Sequence, residues 1–141
     1  MRKLSCILLV DDDQTTNFLN QLLLNKLAVA DKLLTAHDGA QALELVQQHC
    51  STEAGAACPS LILLDVNMPG MNGMQFLEAY HRLPLAQQQA IVIVMLTTSL
   101  HPRDLERAQQ FNVHGFLSKP LTAEKVDSLL RTYFQQELPG A

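Results

Sequence analysis

Short, nearly uninterrupted apolar runs recur along the chain, separated by stretches whose apolar residues return every three or four positions. Ser5–Val10, Leu61–Leu64 and the β-branched Ile91–Leu96 are apolar almost throughout. Runs of that kind suit strands covered on both faces, as in a parallel sheet. Lys32–Ala36 and Gly115–Leu117 are weaker and predict edge strands.

The intervening stretches predict helices. Thr16–Leu27 carries Phe18, Leu19, Leu22, Leu23 and Leu27 at helical spacing, which predicts one inward face. Ala40–Val46 follows Asp38, a good N-cap, with Gln41 at the capping-box position. Met74–Arg82 comes next, then Pro102–Phe111 with proline at the first helical position. Thr122–Phe134 is capped by Thr122 and turns Val126, Leu129, Leu130 and Tyr133 inward. Strands alternating with helices predict a single doubly wound (βα)5 domain filling residues 1–141, its core near residues 5–135. Cys50–Ser60 reads as a surface loop of small residues, and the chain stops soon after the last helix, which predicts no further output domain.

Charge and cysteine usage narrow the class. A net charge of −4 with scattered basic residues argues against nucleic acid as a direct partner. Near neighbours such as Arg103 and Arg107 alternate with acids. Cys6, Cys50 and Cys58 make an odd count without CxxC spacing, so neither a disulfide framework nor a zinc site is expected. The start MRKLSC resembles a lipoprotein leader only superficially, because the apolar stretch such a leader needs before the cysteine is missing. No run approaches the roughly 18 apolar residues of a membrane span, and the chain reads as cytoplasmic. His37, His49, His81, His101 and His114 show no i, i+4 pairing and read as surface residues rather than metal ligands.

The chemistry gathers at strand ends. The first predicted strand runs into Asp11-Asp12-Asp13, the third into Asp65, the fourth into Thr97-Thr98 and the fifth into Ser118-Lys119. In an open parallel sheet, ligands bind outside the carboxyl ends of the strands. Carboxylates brought together there repel one another unless a cation sits between them, and hard Mg²⁺ takes such oxygen ligands. A Mg²⁺ site with open positions can hold a phosphoryl group. Taken singly, each residue also has an ordinary reading as helix cap, strand-end hydroxyl or solvated lysine.

LLVDDD (Leu8–Asp13), LLDVNMPGMNG (Leu63–Gly73), MLTT (Met95–Thr98) and GFLSKP (Gly115–Pro120), in that order, resemble the receiver domain of two-component response regulators. The resemblance implies a flavodoxin-like sandwich with strand order 2-1-3-4-5 and a cis peptide before Pro120. It implies Asp65 as phospho-acceptor, attacking a phosphohistidine of a sensor histidine kinase. Asp12, Asp65 and the backbone carbonyl of Asn67 would ligate Mg²⁺, and Asp11 would hold a metal-bound water. Lys119 and Thr97 would each meet a phosphoryl oxygen, while Asn67 and Ser99 would flank the phosphoryl group and tune its lifetime. Thr97 and the aromatic Phe116 would form the switch, and Gly70 and Gly73 would let the loop after Asp65 bend. Asp13, just past the acidic pair, reads as the cap of the first helix. A receiver of this kind phosphorylates and dephosphorylates itself but is not a turnover enzyme. It passes its signal to an effector protein or a histidine phosphotransfer protein, and a phosphorylation-dependent homodimer stays open.

Two other classes compete. Asp11-x-Asp13-x-Thr15 fits the nucleophile motif of haloacid-dehalogenase-type phosphatases, but that reading leaves Asp65 without a role and lacks the acidic pair needed after Lys119. A phosphate-independent interaction module would be expected to lack Asp12, Asp65 or Lys119, and all of these are present.

Overall fold

The computed structural model of the protein describes residues 4–50, 58–66, 73–83, 91–97, 102–110 and 113–135. Strands and helices alternate along the chain. β1 (Leu4–Val10) leads to α1 (Gln14–Leu27), β2 (Ala30–Ala36) to α2 (Gly39–His49), and β3 (Leu61–Asp65) to α3 (Gly73–His81). β4 (Val92–Thr97) leads to α4 (Pro102–Gln110), and β5 (Gly115–Ser118) to α5 (Ala123–Tyr133). The strands form one parallel sheet in the order β2-β1-β3-β4-β5, so the two weakest apolar runs are indeed its edges.

Side-chain alternation splits the interior into two layers. Leu8, Val10, Ile62, Leu64, Ile93 and Met95 pack beneath α2 and α3, around the fully buried Phe76 and Leu77. Ile7, Leu9, Leu61, Leu63, Val94 and Leu96 face the opposite way, toward Leu24 of α1 and toward Val126, Leu129 and Leu130 of α5. The inward set expected for the last helix is therefore correct, with Tyr133 partly buried beside it.

Helix starts follow the capping chemistry. Asp13 caps α1, its Oδ1 accepting from Thr15 N at 2.9 Å and its Oδ2 from the Thr16 hydroxyl at 3.0 Å. Asp38 Oδ1 accepts from Gln41 N at 2.7 Å, and Gln41 Oε1 reaches back to His37 N at 2.8 Å, one residue earlier than the usual reciprocal bond. Thr122 caps α5 by accepting from Lys125 N.

Two expectations need correction. In α1, Phe18, Leu19 and Leu22 are half exposed or more, at 57, 56 and 50%. The inward face is instead Asn17, Asn20 and Leu24, with Leu23 and Leu27 partly buried. The reason is polar: Asn17 Nδ2 donates to Asp11 O (2.9 Å) and Ala36 O (3.2 Å), satisfying carbonyls where β1 and β2 end. A leucine at position 17 would remove both bonds, leaving Ala36 O with the Asp11 N–H that it also accepts. The second correction concerns the cysteines. Cys50, at the C-cap of α2, and Cys58, just before β3, form a disulfide with Cα atoms 4.5 Å apart. Cys6 alone is a free thiol, buried in β1, and burial pushes its pKa up.

Candidate functional site

The carboxyl ends of β1, β3, β4 and β5 meet at one rim of the sheet. Backbone bonds continue the ladder past the strand ends there: Asp11 N donates to Ala36 O at 3.0 Å, and Lys119 N to Thr97 O at 2.8 Å. Asp11, Asp65 and Thr97 are buried, at 4, 6 and 1% exposure, while Asp12 is exposed. One carboxylate oxygen from each of Asp11, Asp12 and Asp65 lies within 4.8 Å of the others.

Lys119 crosses this cluster. Its Nζ is 2.6 Å from Asp11 Oδ2 and 3.4 Å from Asp65 Oδ2. Burial would lower the lysine pKa, but the hydrogen bond to Asp11 and the charges of Asp65 and Asp11 outweigh it and hold the pKa above its ordinary value. The ammonium is therefore a fixed positive charge. Asp11 Oδ1 accepts from Asp13 N at 2.9 Å, so each Asp11 oxygen already carries one hydrogen bond.

The donor set suits a hard divalent cation. Three carboxylates against one ammonium leave two negative charges at a partly buried rim. Such an excess is costly without a counter-ion, and all-oxygen ligands select Mg²⁺, Mn²⁺ or Ca²⁺ over softer metals. Asp11 is engaged by Lys119 at 2.6 Å and by the Asp13 amide, and Asp65 meets the same ammonium at 3.4 Å.

Thr97 shares a face of the sheet with Met95, and Met95 is the register partner of Phe116. Phe116 is partly buried against the layer beneath α2 and α3. The hydroxyl residue and the aromatic are thus diagonal neighbours on adjacent strands. The Lys119–Pro120 peptide is cis. Gly73 opens α3 directly against β3. Asn67, Gly70, Thr98 and Ser99 lie outside the described residues.

Sequence reasoning missed two residues that build the rim. Asn17 ties Asp11 to the end of β2, and its signal was an asparagine at the inward spacing 17, 20, 24. Lys125 folds back over the segment carrying Lys119, and nothing in the pattern distinguished it from a solvated lysine.

Fold and site define a doubly wound α/β domain with a lysine-crossed acidic pocket at the carboxyl rim of its sheet. The family model for the response regulator receiver domain matches residues 7–131. A probable chemotaxis protein CheY from Rhizobium etli is 29% identical over 128 residues, covering 91% of each chain. A two-component response regulator from Cytophaga hutchinsonii superposes with a TM-score of 0.82 at 29% identity, covering 96% of this chain and all of that one. The Mn²⁺-bound form of response regulator Rcp1 gives 0.71 at 28% identity, covering 96% of this chain and 99% of that one. The chain belongs to the response-regulator receiver family. Receiver domains are signalling modules of two-component systems, bind Mg²⁺ at an acidic pocket, and work with histidine kinases and effectors rather than turning over a substrate. Among the described residues, no helix is long and apolar enough to cross a membrane.

Proposed function

We propose that this protein is a cytoplasmic, phosphorylation-activated switch that receives a phosphoryl group on Asp65 from a sensor histidine kinase. The observation that carries the reading is the position of Asp65: buried, beside Asp11 and Asp12, and 3.4 Å from the Lys119 ammonium. An Asp65 oxygen attacks the phosphorus of a phosphohistidine; the new O–P bond forms as the N–P bond breaks, and the imidazole leaves. Transfer of this kind needs positioning and charge neutralisation more than proton chemistry.

Mg²⁺, held by Asp12, Asp65 and the Asn67 carbonyl with Asp11 on a bound water, would supply charge neutralisation for the phosphoryl oxygens. Lys119 pairs with one phosphoryl oxygen and Thr97 donates its hydroxyl to another. Drawing Thr97 toward the phosphate frees room on the face it shares with Phe116, which turns inward and changes the surface around β5, α4 and α5. The change is a population shift, bounded by how differently phosphate binds the two states. The signal then passes to an effector protein, or the phosphoryl group to a histidine phosphotransfer protein.

Intact-mass measurement after incubation with acetyl phosphate tests this reading. One phosphoryl adduct that requires Mg²⁺ and disappears in Asp65→Asn is expected. No adduct on the wild type would favour a phosphate-independent module, and an adduct surviving in Asp65→Asn would move the nucleophile to Asp11.

A further inference from the structure

We infer that Lys125 is a positioning residue for Lys119, an assignment that rests on the phospho-acceptor reading above. Lys125 lies in the first turn of α5, its backbone N–H held by the Thr122 hydroxyl at 3.2 Å. Its ammonium donates to Ser118 O at 2.7 Å, Ser118 Oγ at 3.3 Å and Pro120 O at 2.9 Å. A lysine ammonium has three donors, and all of them are spent on the residues immediately before and after Lys119.

Geometry gives this clamp its purpose. Lys119 reaches Asp11 and Asp65 from a segment that, among the described residues, has no ladder partner on its outer side, since β5 is the edge strand and ends at Ser118. Among the described residues, its backbone on the inner side is tied by one bond, from its N–H to Thr97 O. Lys125 supplies the tie from the outside and anchors it to α5, whose Val126, Leu129 and Leu130 are buried in the core. The position of the Lys119 ammonium is thereby referred to a rigid helix rather than to a loop. Lys125 touches neither Asp65 nor Asp11; it acts through Lys119.

Lys125→Met keeps the aliphatic stem and removes the donors, and Lys125→Arg restores them. On the unphosphorylated protein, hydrogen exchange at the Lys119 amide is expected to quicken about tenfold in Lys125→Met and to return in Lys125→Arg, with global urea unfolding little changed. With acetyl phosphate and Mg²⁺, the phosphorylation rate of Lys125→Met is expected to fall about tenfold and to recover in Lys125→Arg. In a Lys119→Ala background the methionine should cost nothing further, because the two residues act in series. Unchanged exchange would overturn the clamp. Faster exchange with a wild-type rate, or an equal loss in the Lys119→Ala background, would overturn its role in positioning. A wild type that takes no phosphoryl group marks failure of the parent reading instead, and the positioning role falls with it.

Discussion

Gly73 lies against Asp65 so closely that a Cβ built on it would sit 2.5 Å from the Asp65 carbonyl oxygen and 3.1 Å from the Val66 Cα. Both neighbours are backbone and cannot swing away. The first residue of α3 is thus packed against the end of the strand that carries the candidate phospho-acceptor.

Gly73→Ala should therefore cost roughly 1–3 kcal/mol of stability by overpacking and lower phosphorylation of Asp65, read by urea unfolding and by acetyl phosphate incorporation. Gly115→Ala is the contrasting case. A Cβ there meets the hydroxyl of Tyr133, a side chain that can move at the loss of its 2.7 Å bond to His114 O. About 1 kcal/mol is expected for that hydrogen bond, with phosphate uptake retained.

The division of labour among the acids predicts an order of effects on cation affinity. Asp12→Asn removes the proposed direct ligand and should weaken Mg²⁺ more than Asp11→Asn; the latter, which would act through a water, should weaken it about tenfold. The chain has no tryptophan to report binding, so calorimetric titration is the suitable measurement. Equal losses in the two variants would contradict the assignment.

Lys119 gives a pH signature with a definite sign. Its folded pKa is raised, so its ion pairs contribute fully below the unfolded lysine value of about 10.4 and are lost as pH rises through the folded value. The Tm difference between wild type and Lys119→Met should stay constant from neutral pH to about pH 9.5 and shrink above about pH 10.5. A difference that shrinks near neutrality would mean the ammonium is not held by its carboxylates.

The Cys50–Cys58 bond closes a loop with a sequence separation of 8. Chain-entropy arguments give such a loop about 2.5 kcal/mol of stabilisation. Urea unfolding with and without dithiothreitol should show that difference, and Cys50→Ser should match the reduced protein under both conditions. In a reducing compartment the pair is a dithiol and the fold loses this contribution.

Particular residues explain what could be read from the chain. The central strands were legible because β1, β3 and β4 are covered on both faces, leaving runs such as Leu61–Leu64 with no polar interruption. The rim was legible because parallel strands deliver Asp11, Asp65, Thr97 and Lys119 to the same edge regardless of how the helices pack. The orientation of α1 was not, because spacing rewards Phe18, Leu19 and Leu22, while the helix is turned by an amide, Asn17, satisfying two strand-end carbonyls. Nor was the disulfide, since the approach of Cys50 to Cys58 depends on where α2 ends relative to the entry of β3.

That covalent tie has a geometric consequence. It stands at the rim where β3 begins, whereas Asp65 and Lys119 stand where the strands finish. The two rims of one small sheet thus carry unrelated chemistries, a redox-active bond at the first and the acidic cluster proposed to hold a cation at the second. A shift in cellular redox poise can alter how long the fold persists without passing through the groups that would read phosphate.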